Sequence, residues 1–150
     1  MSTISNTQNN SARNERIVFK NLWWAGLVGG IAGAIGNVIV FLIAKYLFGL
    51  PLLIPLQGPG SPLEPLPVFM VIVATLASAV GATILLALLG KFAPRPILVF
   101  QIISVVFLLV SFGAPFSLPV DLGTKLALNA MHVVAAIAIV GVLTTLGRAK

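Results

Sequence analysis

Apolar and polar positions along this chain follow neither the two-residue alternation of a half-buried strand nor the 3.6-residue stripe of a surface helix. They come in blocks. Four long apolar runs are separated by short polar or proline-rich breaks. From Leu22 to Ala44 only Asn37 is polar, and a run of about 20 apolar residues suffices to cross a hydrocarbon core of about 30 Å. Trp23 and Trp24 at its start and Lys45 and Tyr46 at its end suit the two interfaces, so the first helix is expected over about 22–48. The second is expected over 68–89, apolar apart from Thr75, Ser78 and Thr83. The third, over 97–112, carries Gln101, Ser104 and Ser111 and stops at Gly113, Ala114 and Pro115. The fourth is expected over 121–146. The predicted fold is all-α, a four-transmembrane-helix bundle running up-down-up-down, because short connections make successive helices antiparallel neighbours.

The breaks divide the chain further. Residues 1–20 are rich in Ser, Asn and Thr and lack apolar periodicity, which predicts a disordered polar cytoplasmic tail ahead of a membrane domain at 21–148. The apolar run that follows is too long for the core of a signal peptide, and no small-residue cleavage site closes it. Pro51, Pro55, Pro59, Pro62, Pro65 and Pro67 fall in an outer loop at 49–67. That density excludes a continuous helix and predicts an extended, polyproline-like connection whose apolar piece, 50–56, lies along the membrane surface.

Composition narrows the class. With 59% hydrophobic and 8% charged residues, the chain cannot coat a water-soluble globule of 150 residues. The net charge of +6 would ordinarily suggest nucleic acid, but no basic face with interleaved aromatics exists, so no nucleic-acid partner is expected. The charge instead reports orientation. With the N-terminus in the cytoplasm, that side receives Arg13, Arg16, Lys20, Lys91, Arg95, Arg148 and Lys150 against Glu15. The other side receives Lys45 and Lys125 against Glu64 and Asp121. This positive-inside asymmetry places both termini in the cytoplasm and the anionic lipid bilayer as the main partner.

Candidate chemistry is sparse. No cysteine and a single histidine, His132, exclude thiolate sites and a multi-histidine metal site within one chain, and no cofactor is expected. Ser78 or Ser111 could pair with His132, but no nucleophile elbow or oxyanion-hole loop accompanies them, so no catalytic residue is assigned and an enzyme is not expected. Gln101 and Ser104 read as helix-packing hydrogen bonds. Gly26 with Gly30 and Gly29 with Gly33 form two G-x-x-x-G pairs on the first helix, followed by Gly36. Such glycines let a neighbouring backbone approach closely, either inside the chain, against the second helix with its small residues Ala74, Ser78 and Ala82 or against the fourth, or across a homodimer through helix one. Asp121, Lys125, Asn129 and His132 follow spacings of four, four and three on the fourth helix. They fall within an arc of roughly 80° that reaches about 16 Å inward. Asn37 lies at comparable depth, as do Thr75 and Ser78 of the second helix, so these residues could converge. Asn37 and the four stripe residues form a candidate ligand or ion site in the outer half of the bundle, with structural readings beside it. Asp121 would cap a helix, Lys125 would snorkel or pair with Asp121, and Asn37 and His132 would serve as interhelical glue.

The Leu-Trp-Trp-Ala-Gly opening with its glycine-rich helix, the Pro-Leu-Leu-Ile-Pro loop and the Ala-Leu-Asn-Ala-Met-His stretch resemble a family of small bacterial four-helix membrane proteins of unknown function. The resemblance covers about 20–148, and its Leu-x-Leu-x-x-Met-His pattern falls on Leu126, Leu128, Met131 and His132. It implies a multi-pass protein of the bacterial cytoplasmic membrane and supplies no substrate or ligand. The expected function is therefore that of a non-enzymatic membrane protein packing with itself or a membrane partner. The competing reading is a small transporter or channel-like protein with its polar site around His132. Four helices rarely enclose a pathway, so that reading calls for a dimer.

Overall fold

A computed structural model describes residues 17–147. The expected tail, apart from 17–20, and the basic end at Arg148 and Lys150 lie outside the described residues. α1 spans Phe19–Leu42 and continues through a π-helical turn at Ile43–Leu47. Two short strands follow, β1 (Leu53–Pro55) and β2 (Leu63–Pro65), then α2 (Val68–Phe92), α3 (Pro96–Ser111), the five-residue α4 (Gly113–Ser117) and α5 (Leu122–Leu146). Four segments, 19–47, 68–92, 96–117 and 122–146, are long and apolar enough to cross a membrane, with mean hydropathies of 2.3, 2.4, 2.6 and 2.3.

Local chemistry sets the helix ends. Ala93 is extended ahead of Pro94, which stops α2, and Pro96 opens α3 at a position where its missing N–H costs nothing. Asp121 caps α5, and Gly147 follows its last turn. α2 runs three residues further than expected, through the basic Lys91. Past α3 the chain makes one further helical turn, α4, where the Gly113–Pro115 break predicted only loop.

The proline-rich segment departs from the extended connection expected of it. Leu53, Ile54 and Pro55 pair antiparallel with Pro65, Glu64 and Leu63, closing a small hairpin whose turn uses Gly58 and Gly60 at positive φ. The strands add a β element to the mostly helical fold. Nor does the apolar piece lie on a flat surface. Leu52 adopts φ 47°, a rare conformation for a residue with a Cβ, and is only 1% exposed, packed with Leu66, Phe41, Ala44 and Met131 over the helix ends. Burial of two leucines outweighs the backbone cost there. The other end is closed by Leu22, Leu86, Phe100 and Leu143, with the Val18 amide donating to the Gly147 carbonyl at 3.0 Å and Ile17 against Gly90.

α1 lies between α2 and α5, antiparallel to both. Gly26 meets Thr83, Gly30 meets Ala79 and Gly33 meets Thr75, while Gly29 meets Ile139 and Gly36 meets Val134. α3 is held differently. Its buried residues, Pro96, Ile97 and Phe100, all lie within its first five positions. Only 11% of its span's apolar window is buried, against 39%, 28% and 28% for the others.

Candidate functional site

The glycine groove is filled from within the chain. A Cβ on Gly30 would stand 2.9 Å from the Ala79 Cβ, and one on Gly36 would stand 2.6 Å from Val134 Cγ1. One on Gly26 would overlap the Thr83 hydroxyl, which is fixed by donating to the Ala79 carbonyl at 2.7 Å. The homodimer surface assigned to helix one is therefore occupied by α2 on one side and α5 on the other. The α2 residues that fill it are Thr75, Ala79 and Thr83, not Ala74, Ser78 and Ala82 as expected. One residue is about 100° of helix rotation, which turns the expected set aside from α1. Ala74 and Ser78 are exposed and Ala82 half-buried.

Asn37 is 4% exposed on the α2-facing side of α1, and its Nδ2 donates to Thr75 Oγ1 at 2.9 Å. The Thr75 hydroxyl itself donates to the Val71 carbonyl at 2.7 Å, so it can only accept from Asn37, which fixes the orientation of the amide. Asn37 Oδ1 is buried without a partner.

The polar stripe of the fourth predicted helix does not converge with Asn37 on one site. Asp121 is engaged at the N-terminus of α5, accepting from the Thr124 amide at 2.8 Å and the Thr124 hydroxyl at 2.6 Å. The Thr124 side-chain hydrogen bond, followed by its amide, holds the carboxyl below the usual range against a small opposing desolvation. Thr124 thereby takes the place of Lys125, which forms no ion pair with Asp121. Asn129 is 8% exposed, and neither its Oδ1 nor its Nδ2 has a partner. His132 is exposed, its Nδ1 lying 2.7 Å from the Leu128 carbonyl one turn back. Among the described residues no group of three His, Cys, Asp or Glu could hold a metal ion.

His132 instead faces a cleft of about 370 Å³ between α2, α3 and α5. Beyond Phe100, α3 is no longer buried against its neighbours, and the space is walled by side chains such as Phe107, Ile103 and Ile139. Ser78, Ser104, Ser111 and His132 supply its polar atoms. Ser78 and Ser111 share the cleft with His132, but each hydroxyl donates to a carbonyl of its own helix, Ala74 at 2.8 Å and Leu108 at 2.7 Å. Sequence reasoning named all four side chains and weighed a pairing of Ser78 or Ser111 with His132, but did not place Ser104 with them. A shared helix face was legible for each, but the gap beside α3 depends on how far that helix stands off.

Gln101 has no hydrogen-bond partner among the described residues and lies exposed on α3. Leu98, Gln101, Val105 and Leu109 follow spacings of three, four and four and form one exposed seam. By helical rotation the centre of this seam is about a third of a turn from the centre of the α3 wall of the cleft, whose Leu108 borders it.

No curated protein and no solved structure is measurably similar to the chain. Its membership rests on a family match across nearly all of the four-helix region. Over residues 18–149 the chain belongs to DUF6069, a family of unknown function.

Proposed function

We propose that this is a non-enzymatic, multi-pass membrane protein that associates with a second copy of itself through the exposed seam of α3. The unpartnered Gln101 carries the reading. An amide facing hydrocarbon is costly unless paired. A glutamine amide is also self-complementary, since its carbonyl can accept from the NH2 group of a twin across a two-fold axis. α3 is the least buried of the four spans, so it has the most surface to offer. Among the described residues His132 bonds to the Leu128 carbonyl and to no acid, and together with the own-helix bonds of Ser78 and Ser111 this supports a non-catalytic role.

In this reading both termini are cytoplasmic. Lys20, Lys91 and Arg95 sit at the bundle end closed by Ile17, Val18 and Gly147. Lys45, Glu64 and Asp121 sit at the hairpin end. The bacterial cytoplasmic membrane is the compartment this charge distribution suits.

Energy transfer between donor- and acceptor-labelled copies in phosphatidylcholine vesicles tests the association. Native chains are expected to associate, and Gln101→Leu to weaken association roughly tenfold, as for an interhelical polar contact of 1–2 kcal/mol. Native chains that stay monomeric, or a Gln101→Leu variant that associates equally well, would overturn the proposal.

A further inference from the structure

We infer that the cleft between α2, α3 and α5 is a binding site for a membrane-dissolved lipid alcohol, an apolar molecule whose hydroxyl donates a hydrogen bond to His132. The inference rests on the chain spanning a bilayer, not on its self-association.

The polar atoms of the cleft have a definite sense. A carbonyl oxygen only accepts, so the 2.7 Å contact between Leu128 O and His132 Nδ1 places the ring hydrogen on Nδ1. In the neutral imidazole Nε2 is then left with a lone pair and no hydrogen. Ser78 and Ser111 have likewise committed their hydrogens to Ala74 and Leu108, which leaves lone pairs for any guest. Ser104 alone retains an uncommitted hydroxyl hydrogen. The site is thus an apolar wall whose few polar groups are mostly acceptors, and the complementary guest is an apolar body carrying a donor.

Hydrocarbon itself cannot satisfy these lone pairs, and a cationic donor would have to leave water to reach them. His132 lies ten residues into α5, about 15 Å along its axis, near the middle of a hydrocarbon core. A neutral hydroxyl on an apolar body meets both conditions. The cleft volume of about 370 Å³ also falls within the range of small-molecule sites, about 300–1,000 Å³. Ser78, Gly81, Ile103, Phe107 and His132 of its lining are exposed along the lengths of their helices, so a guest would enter from the bilayer.

The full chain in phosphatidylcholine vesicles is photolabelled with a diazirine-bearing cetyl alcohol and competed with cetyl alcohol or its methyl ether. The ether has the same chain and no donor. Labelling is expected in the α3 and α5 walls, with the alcohol competing at roughly five- to tenfold lower concentration than the ether, the worth of one hydrogen bond. His132→Leu should remove the difference between the two competitors, and His132→Gln, which restores an acceptor, should recover part of it. The ratio of competitors is independent of how much protein folds. The same ratio in Gln101→Leu separates this site from self-association. Equal competition by ether and alcohol, a ratio unchanged in His132→Leu, or labelling spread onto the α1 face at Ile31 and Ile35 would overturn the inference.

Discussion

Within their long apolar runs α1 and α3 each carry one amide, Asn37 and Gln101, yet they are held in opposite ways. α1 carries glycines on two faces, so α2 and α5 approach its backbone, and its amide at Asn37 is paired inside the chain. α3 lacks glycine between Pro96 and Ser111, is anchored by its first five residues, and leaves its amide at Gln101 outside. Without a hydrophobic drive between helices in lipid, close approach and polar pairing decide which helices pack tightly. Between these two helices the difference is that small residues and an amide paired through its Nδ2 face the interior, whereas bulky side chains and an unpartnered amide face outward.

The sharpest way to break this comparison is to enlarge an α1 glycine. Gly30→Val and Gly36→Val should each destabilise the fold by about 1–3 kcal/mol or prevent it, measured by unfolding in mixed micelles. Gly81, where an added Cβ would meet nothing within 4 Å, should accept Ala without loss and with a gain of up to about 1 kcal/mol from helix propensity. Equal sensitivity at Gly30 and Gly81 would erase the distinction.

A smaller effect is expected at the amides. Thr75→Val keeps the shape but strands Asn37 Nδ2, and should cost about 0.6–1.7 kcal/mol in the same assay. Gln101→Leu should leave folding unchanged within about 0.5 kcal/mol, because no contact inside the chain is lost. A fold as sensitive to Gln101→Leu as to Thr75→Val would place Gln101 inside the core.

The smallest effect concerns the cap of α5, a feature α3 lacks. Because Thr124 lowers the Asp121 carboxyl below its ordinary value of 3.8, the carboxylate is favoured in the folded chain. Its stabilisation is present above the unfolded pKa and is lost as pH falls through the lower folded one. Thermal melts from neutral pH downward should therefore show a loss confined to acid below about pH 4, and Thr124→Val should flatten it. A loss beginning near neutrality would contradict the assignment.

The four spans were legible because their signal is block hydropathy, which needs no tertiary information. Asn37 was legible as buried for the same reason. The partners were not. Glycine spacing on α1 is satisfied by any small stripe on α2, and choosing Thr75, Ala79 and Thr83 over Ala74, Ser78 and Ala82 requires the rotation of α2, which an apolar helix with little amphipathic bias does not encode locally. The hairpin was hidden by its prolines, which suit an edge pair as well as an extended loop. The Asp121–His132 stripe was real as a helix face. Its members were separated by competitors one turn away, Thr124 for Asp121 and the Leu128 carbonyl for His132.

The natural sequence contains no cysteine, so single-cysteine cross-linking in vesicles requires no background removal. Chains inserted in one orientation pair about an axis along the membrane normal, which brings identical positions of the seam together. Under oxidation, Leu98→Cys and Val105→Cys on α3 should form covalent dimers, whereas Ile31→Cys and Ile35→Cys on the exposed side of α1 should stay monomeric. Dimers through Ile31 and Ile35 with none through Leu98 and Val105 would contradict the account, and place the interface on the helix whose interior faces are already filled.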